Sequence, residues 1–151
     1  MSSTYKVLVD IDLENGDVQI TVSGDYQVFN FISGLSSIIL PQLFSELSSL
    51  YSGKSSRARL SNYGNGDYYN FIKDSNIIRI ENIMKNSGVR NTYHFNLNQF
   101  VTAIDKAFSK HLRQLRKEGV LPLKFEEKGH PLEQNVIDKY NDFSSTLKRL
   151  K

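Results

Sequence analysis

The chain contains no cysteine among its 151 residues. That excludes disulfides, thiolate zinc sites and cysteine nucleophiles. Histidine is scarce too: His94, His111 and His130 are the only three. None belongs to an H-x-x-x-H pair, and no serine stands in a nucleophile elbow. With no orienting carboxylate legible beside them, the histidines read as structural or exposed rather than catalytic. Long apolar runs are missing as well. The uncharged stretch from Val28 to Phe44 is broken by Asn30, Ser33, Gly34, Ser36, Ser37, Pro41 and Gln42. A membrane span needs about 20 mainly apolar residues with basic anchors, so this stretch reads as a core segment.

Met1-Ser2-Ser3-Thr4 leads directly into an alternating strand, without the basic and then apolar pattern of a secretory leader. Together with the missing cysteine, this sets the expectation of a cytoplasmic protein. Richness in Asn, Ser, Ile and Lys suggests an AT-rich source, and a bacterial one is the expectation. Hydrophobic residues at 39% and charged residues at 23% are globular proportions, and the length is that of one domain.

Charge is unevenly placed. Residues 1–53 hold six acids and the single base Lys6, a net −5, whereas residues 97–151 hold eleven bases and seven acids, a net +4. The overall +3 permits an acidic partner without the dense basic patch of a dedicated nucleic-acid binder.

Turn signals organise the first two thirds. Tyr5, Val7, Val9, Ile11 and Leu13 alternate with polar neighbours, as do Val18, Ile20 and Val22. Between them Asn15-Gly16 suits a two-residue type I′ turn, so the spacing predicts an antiparallel hairpin with one buried face. Apolar residues at 28, 32, 35 and 39 predict a helix over Gln27 to Tyr51, kinked or divided at Pro41 and capped by Gly53. Four short strands follow, at Arg57–Tyr63, Tyr68–Lys73, Ile77–Met84 and Val89–Phe95, separated by turns rich in Gly, Asn, Asp and Ser. Phe100, Val101, Ile104, Phe108, Leu112 and Leu115 predict a helix started by Asn98 and ended by Gly119. Val136, Tyr140, Phe143, Leu147 and Leu150 predict a last helix with a docking seam.

The expected fold is therefore α+β: an antiparallel sheet of about six strands in the order β-β-α-β-β-β-β-α-α, with helices on one face. Residues 1–118 form its sheet-helix body, 119–132 a connector, and 133–151 a docking helix of the same domain. No internal repeat is evident.

Four groups of residues bear on chemistry. Asp10-x-Asp12-x-Glu14 sets three carboxylates on one strand face, which can hold a hard cation but is equally the solvated side of a hairpin. No further ligand stands at a recognisable spacing, so no metal and no cofactor is expected. Gly64-x-Gly66 lacks the third glycine and the following helix of a dinucleotide loop and reads as a hairpin turn. Arg57, Arg59, Tyr63, Tyr68 and Lys73 interleave cations with aromatics, as single-stranded nucleic-acid binders do. Lys106, Lys110, Arg113 and Lys117 form a basic helix row whose like-charge neighbours cost a few tenths of a kcal/mol per pair.

The sequence reading is thus a non-catalytic protein-binding domain of the inhibitor or toxin-immunity type, covering a partner's active surface. Its expected partner is another protein, a toxin or an enzyme. It would be held through the acidic row Asp10, Asp12, Glu14 and Asp17 and the basic row Lys106, Lys110, Arg113 and Lys117. The alternative is a nucleic-acid-binding module using the Arg/Tyr strands and the Lys/Arg helix. A homodimer through the apolar helices is a further expectation, and no membrane partner is.

Overall fold

The structure, a computed structural model, describes residues 4–123 and 129–150. Part of the expected connector, residues 124–128, lies outside the described residues. The elements are β1 (Lys6–Ile11), β2 (Val18–Gly24), β3 (Gln27–Ser33), α1 (Ser36–Ser52), β4 (Arg57–Ser61), β5 (Tyr68–Asp74), β6 (Ile77–Ile83), β7 (Arg90–Asn96), α2 (Leu97–Lys117) and α3 (Gln134–Arg149). The class is α+β. The strands divide into two antiparallel meanders, β1-β2-β3 and β4-β5-β6-β7, rather than forming one sheet.

The extra strand is β3. Val28, Ile32, Leu35 and Ile39 have helical spacing, but Gln27-Val28-Phe29-Asn30-Phe31-Ile32-Ser33 also has period two. Period two prevails because it buries Phe29 and Phe31 and pairs Gly24 to Val18 with Gln27 to Ser33. Burying two phenylalanines outweighs the weaker helical stripe, which would have used Val28 and Ile32. The helix consequently starts at Ser36 and runs unbroken to Ser52, with Pro41 inside it.

Phe29 and Phe31 join the two sheets. Their rings lie against Tyr69, Phe71 and Tyr93 on the inner face of the four-stranded sheet, with centroids 4.9–6.4 Å apart. Polar side chains finish the seam at both ends. The Tyr69 hydroxyl accepts from the Ile32 N–H at 2.9 Å and donates to the Ile32 carbonyl at 3.2 Å. At the other end the Gln27 amide donates to the His94 carbonyl at 2.6 Å and accepts from the His94 N–H at 2.9 Å. A side-chain amide thus stands where another strand would pair with β7, and it blunts that edge.

Tyr5 adds a second tie. Its ring meets Phe95 edge-on, its hydroxyl accepts from the Asn96 N–H at 2.9 Å, and it donates to the Asp25 carboxylate. Gly24 is required beside it, because a Cβ there would stand 2.3 Å from the Tyr5 ring.

The helices close the core. Asn96, not Asn98, caps α2 by accepting from the Gln99 N–H at 2.9 Å. The buried stripe of α2 includes Phe100, Ile104, Phe108 and Leu112. α3 packs on α1 within the same chain, burying Val136, Tyr140, Phe143 and Leu147, while Leu150 stays exposed. The apolar seam of α3 is thus covered within the chain. Phe44 of α1 sits where the three helices meet, touching Phe108, Tyr140 and Phe143. Tyr140 donates to Asp105 Oδ1 at 2.7 Å, tying α3 to α2.

One recurrence escapes the sequence reading. The turns at 12–17 and 62–67 have the same backbone bonds, Gly16 N–H to Asp12 O and Gly66 N–H to Asn62 O, closed by Asp12 N–H to Asp17 O and Asn62 N–H to Asp67 O. Both contain Asn-Gly-Asp, with the glycine at φ +80 or +84. The strands that follow bury opposite parities, Val18, Ile20 and Val22 against Tyr69 and Phe71. The apolar pattern is therefore displaced by one residue between the copies and hides the repeat.

Phe44→Ala should lose about 3–5 kcal/mol of stability in chemical denaturation. Leu8→Ala, at a side chain 72% exposed, should stay within about 0.5 kcal/mol of the parent. Burial, and then hydrogen bonds to Asp25 and Asp105, push the Tyr5 and Tyr140 phenols from 10.0 up to about 12. Because the folded pKa is the higher one, their contribution to stability is complete below pH 10 and lost as pH rises towards 12. Phenolate absorbance during an alkaline titration should show these two among the last of the eight tyrosines to ionise, together with the onset of unfolding.

Candidate functional site

The two matched turns stand on either side of a cleft of about 470 Å³. Asp10, Asp12 and Asp17 line it from one side, Asn62 and Asn65 from the other, and Ile32 and Ser33 from β3. Three of the four acids expected to bind a partner are therefore brought together. Glu14 is not part of the lining, and no residue of the α2 basic row joins it.

Local chemistry builds the cleft. The strand β1 ends at Ile11, which pairs with Val18, so the hairpin loop is Asp12 to Asp17 rather than a two-residue Asn-Gly turn. Asp12 and Glu14 accordingly leave the strand face on which the sequence placed them, and only Asp10 remains there. Asp12 becomes the organiser of the loop, accepting from the Glu14 N–H at 3.0 Å, the Asn15 N–H at 2.9 Å and Asn15 Nδ2 at 3.0 Å. These donors, the Asn15 amide foremost, hold its carboxyl below the usual carboxylate range. The Gly16 carbonyl accepts the Ser36 N–H at 2.9 Å and the Ser36 hydroxyl, which docks the loop on the start of α1. Opposite, Asn62 Oδ1 accepts from the Gly64 N–H at 2.8 Å.

Buried Ser33 sets the distance between the two sides. Its hydroxyl accepts from the Tyr63 N–H at 3.1 Å and lies 3.2 Å from the Ser61 carbonyl. A hydroxyl with both partners inside the protein makes a fixed floor.

Among the described residues no Lys or Arg forms an ion pair with the carboxylates of the cleft. Among the described residues the one ion pair is Arg90 with Glu81, on the other sheet. Nor is any group of three or more metal-capable side chains placed to hold an ion, among the described residues.

The face that continues from the cleft carries exposed apolar side chains among polar ones. On the outer side of the three-stranded sheet, Leu8, Val28 and Ile32 are 72%, 56% and 43% exposed. Gln19, Thr21 and Asn30 bond to one another between them. Tyr26 stands fully exposed at the tip of the β2-β3 turn, and Leu35 and Ile38 are exposed where β3 leads into α1. Six of the nine large exposed apolar side chains among the described residues thus come from this sheet or its exit. Tyr26 and Leu35 also hold positive φ, at 64° and 51°. A bulky side chain is strained there, by about 1–3 kcal/mol.

The remaining candidates lie elsewhere. Lys106, Lys110, Arg113 and Lys117 are exposed along α2. Arg57, Arg59 and Tyr68 share the outer face of the four-stranded sheet, as their register with Ile72, Asn70 and Ser61 requires. Two residues of that expected group do not join them. Lys73 pairs with the buried Ile78 and so belongs to the inner parity at the rim, and Tyr63 lies in the 62–67 turn. Of the histidines, His94 is exposed, and His130 Nδ1 accepts from the Leu132 N–H at 3.0 Å. His111 packs edge-on against Phe108, and burial pushes its pKa down.

Sequence reasoning missed the exposed apolar residues, because Val28 and Ile32 were assigned to a buried helical stripe. The strict alternation around Phe29 and Phe31 was the available signal.

No helix among the described residues is long and apolar enough to cross a membrane. Compared with protein-family models, curated proteins and solved structures, the chain matches none.

The loop chemistry can be checked directly. In Asp12→Ala the Glu14 and Asn15 amides should exchange with solvent at least several-fold faster, since each loses its carboxylate acceptor. Asp10→Asn should leave both unchanged in the same hydrogen-exchange measurement.

Proposed function

We propose that this chain is a non-catalytic binding domain of the cytoplasm that holds another protein against the outer face of its three-stranded sheet. The partner lays apolar surface on Leu8, Val28 and Ile32 and places a Lys or Arg side chain between Asp10, Asp12 and Asp17. The role is that of an inhibitor or immunity-type protein: it covers a basic active surface of a toxin or an enzyme.

The observation that carries this reading is the exposure of Leu8, Val28 and Ile32 beside carboxylates that form no ion pair among the described residues. An apolar patch rimmed by charge marks an interaction surface more often than a bare one. Apolar contact supplies the affinity, while the carboxylates steer the approach and fix the register. Tyr26 supports the same reading. A type I′ turn needs φ above zero at both central positions, yet Asp25-Tyr26 occupies it where Asn-Gly would be unstrained. A fully exposed aromatic kept at such a position is well suited to anchoring a partner.

The test is capture of the partner from nuclease-treated lysate, repeated with three variants. Asp10→Lys with Asp17→Lys, and Leu8→Ala with Val28→Ala, should each weaken retention by tenfold or more, about 1.4 kcal/mol and upward. Lys106→Glu with Lys110→Glu should retain the partner as the parent does. Loss through the lysine variant alone would move the site to α2. Tyr26→Gly should gain roughly 0.4–1 kcal/mol of stability by relieving the strained turn, and bind less tightly.

A further inference from the structure

The four-stranded sheet has a solvent face that the proposed docking site does not use. Side chains of one parity face outward, which the pairing fixes row by row. Arg57, Ile72, Arg79 and His94 form one row across β4 to β7. Arg59, Asn70, Glu81 and Thr92 form the next, and Ser61, Tyr68, Ile83 and Arg90 the third. Four arginines, one from β4 in each of two rows and one each from β6 and β7, thus share a face whose carboxylates are Glu81 and, at the far end of β5, Asp74.

Glu81 is already engaged. It accepts from Asn70 Nδ2 at 3.4 Å and pairs with Arg90 at 3.5 Å, and its side chain is only 13% exposed. It orients Arg90 more than it neutralises the face. Arg79 Nε is buried without an acceptor in the protein. The rest of the Arg79 side chain is half-exposed on this face, and its outer guanidinium nitrogens are the part a phosphate oxygen could meet. Arg59 stands over the Tyr68 ring, its Cζ 4.3 Å from the centroid, with its Nε donating to Asn70 Oδ1 at 3.2 Å. That contact sets the guanidinium against an aromatic surface, on a side chain that stays exposed.

We infer that this face binds single-stranded nucleic acid, with a base stacked on the Arg59-Tyr68 pair and backbone phosphates on Arg57, Arg79 and Arg90. The parts answer the two needs of such binding. Cations set along a surface track the phosphates, and a flat π or guanidinium face receives an unpaired base whatever its identity. Arginine also suits both tasks better than lysine, being planar and able to bond phosphate with two parallel donors. A duplex keeps its bases stacked and would offer nothing to the Arg59-Tyr68 platform, so single strands are favoured. Arg57 and Arg79 are two strands apart, about 10 Å, which lets one ligand strand cross the sheet rather than follow a single β-strand. The site is separate from the protein-docking face, and each can fail without the other.

The experiment is fluorescence anisotropy of labelled oligo-dT and oligo-U of about a dozen nucleotides, a length within the span one small domain covers. The full chain is titrated at several salt concentrations. Binding should weaken with salt with a slope of log K against log salt of about −2, as expected for three phosphate contacts at roughly −0.7 each. Arg57→Gln with Arg79→Gln should lower affinity at least tenfold and flatten the slope by about 1.4. Arg59→Lys keeps the charge, so it should keep the slope yet lose several-fold in affinity. Thermal unfolding of each variant should match the parent, because the substituted groups are on the solvent face.

Four results would overturn the inference. The first is no binding at low salt. The second is equal affinity for a duplex of the same length. The third is binding that survives the arginine variant but is abolished by Lys106→Gln with Lys110→Gln, which would move the ligand to α2. The fourth is binding only to vesicles rich in phosphatidylserine, which would make the face a lipid surface.

Discussion

Everything else in the molecule depends on Phe29 and Phe31 lying across Tyr69, Phe71 and Tyr93. Neither sheet alone is a stable object, since a three- or four-stranded meander buries its apolar face only against something else. The aromatic layer gives each sheet that cover. It also fixes their relative placement, because interlocked rings, edge-on or tilted, tolerate little sliding. The hydroxyl of Tyr69 and the amide of Gln27 then convert apolar packing into a defined register by bonding the opposite backbone.

The functional surfaces are consequences of that placement. With β3 held across the four-stranded sheet, its end meets the end of β4, and Ser33 reaches Ser61 and Tyr63. The turns at 12–17 and 62–67 are thereby brought to opposite sides of one cleft. The same packing spends the inner parity of β3 on the core and leaves Val28 and Ile32 in solvent. The four-stranded sheet likewise turns Tyr69 and Phe71 inward and Arg57, Arg59 and Tyr68 outward. One seam therefore determines an apolar and acidic face on one sheet and a basic face on the other.

Much of this was legible in the sequence. Each hairpin carries its own turn residues and period-two pattern, so strands β1, β2 and β4 to β7 fall within a few residues of their expected ends. The α2 stripe from Phe100 to Leu115 and the α3 seam from Val136 to Leu147 are unambiguous because the helical period persists over several turns. The segment at Gln27–Ser33 was not legible, since Val28, Ile32, Leu35 and Ile39 satisfy one period while Phe29 and Phe31 satisfy the other. Which period holds depends on Tyr69, Phe71 and Tyr93, some forty and more positions away. The candidate site was half legible. Acids concentrated at the first turn were plain, but the loop of Asp12 to Asp17 carried two of them off the strand. Their alignment opposite Asn62 and Asn65 is a tertiary fact. The exposed apolar face was concealed by the misread segment, and the outward parity of the arginines could not be chosen without knowing which side the core takes.

The seam can be tested where it is most specific, by amide hydrogen exchange in Tyr69→Phe. That substitution removes one hydroxyl and keeps the ring, so the aromatic packing persists while the Ile32 N–H loses its acceptor. The Ile32 amide should exchange about tenfold faster, the scale of one lost hydrogen bond, with amides inside the β5-β6 hairpin unchanged. An Ile32 amide as protected as in the parent would mean that β3 does not lie against Tyr69, and the joined-sheet architecture would fall with it.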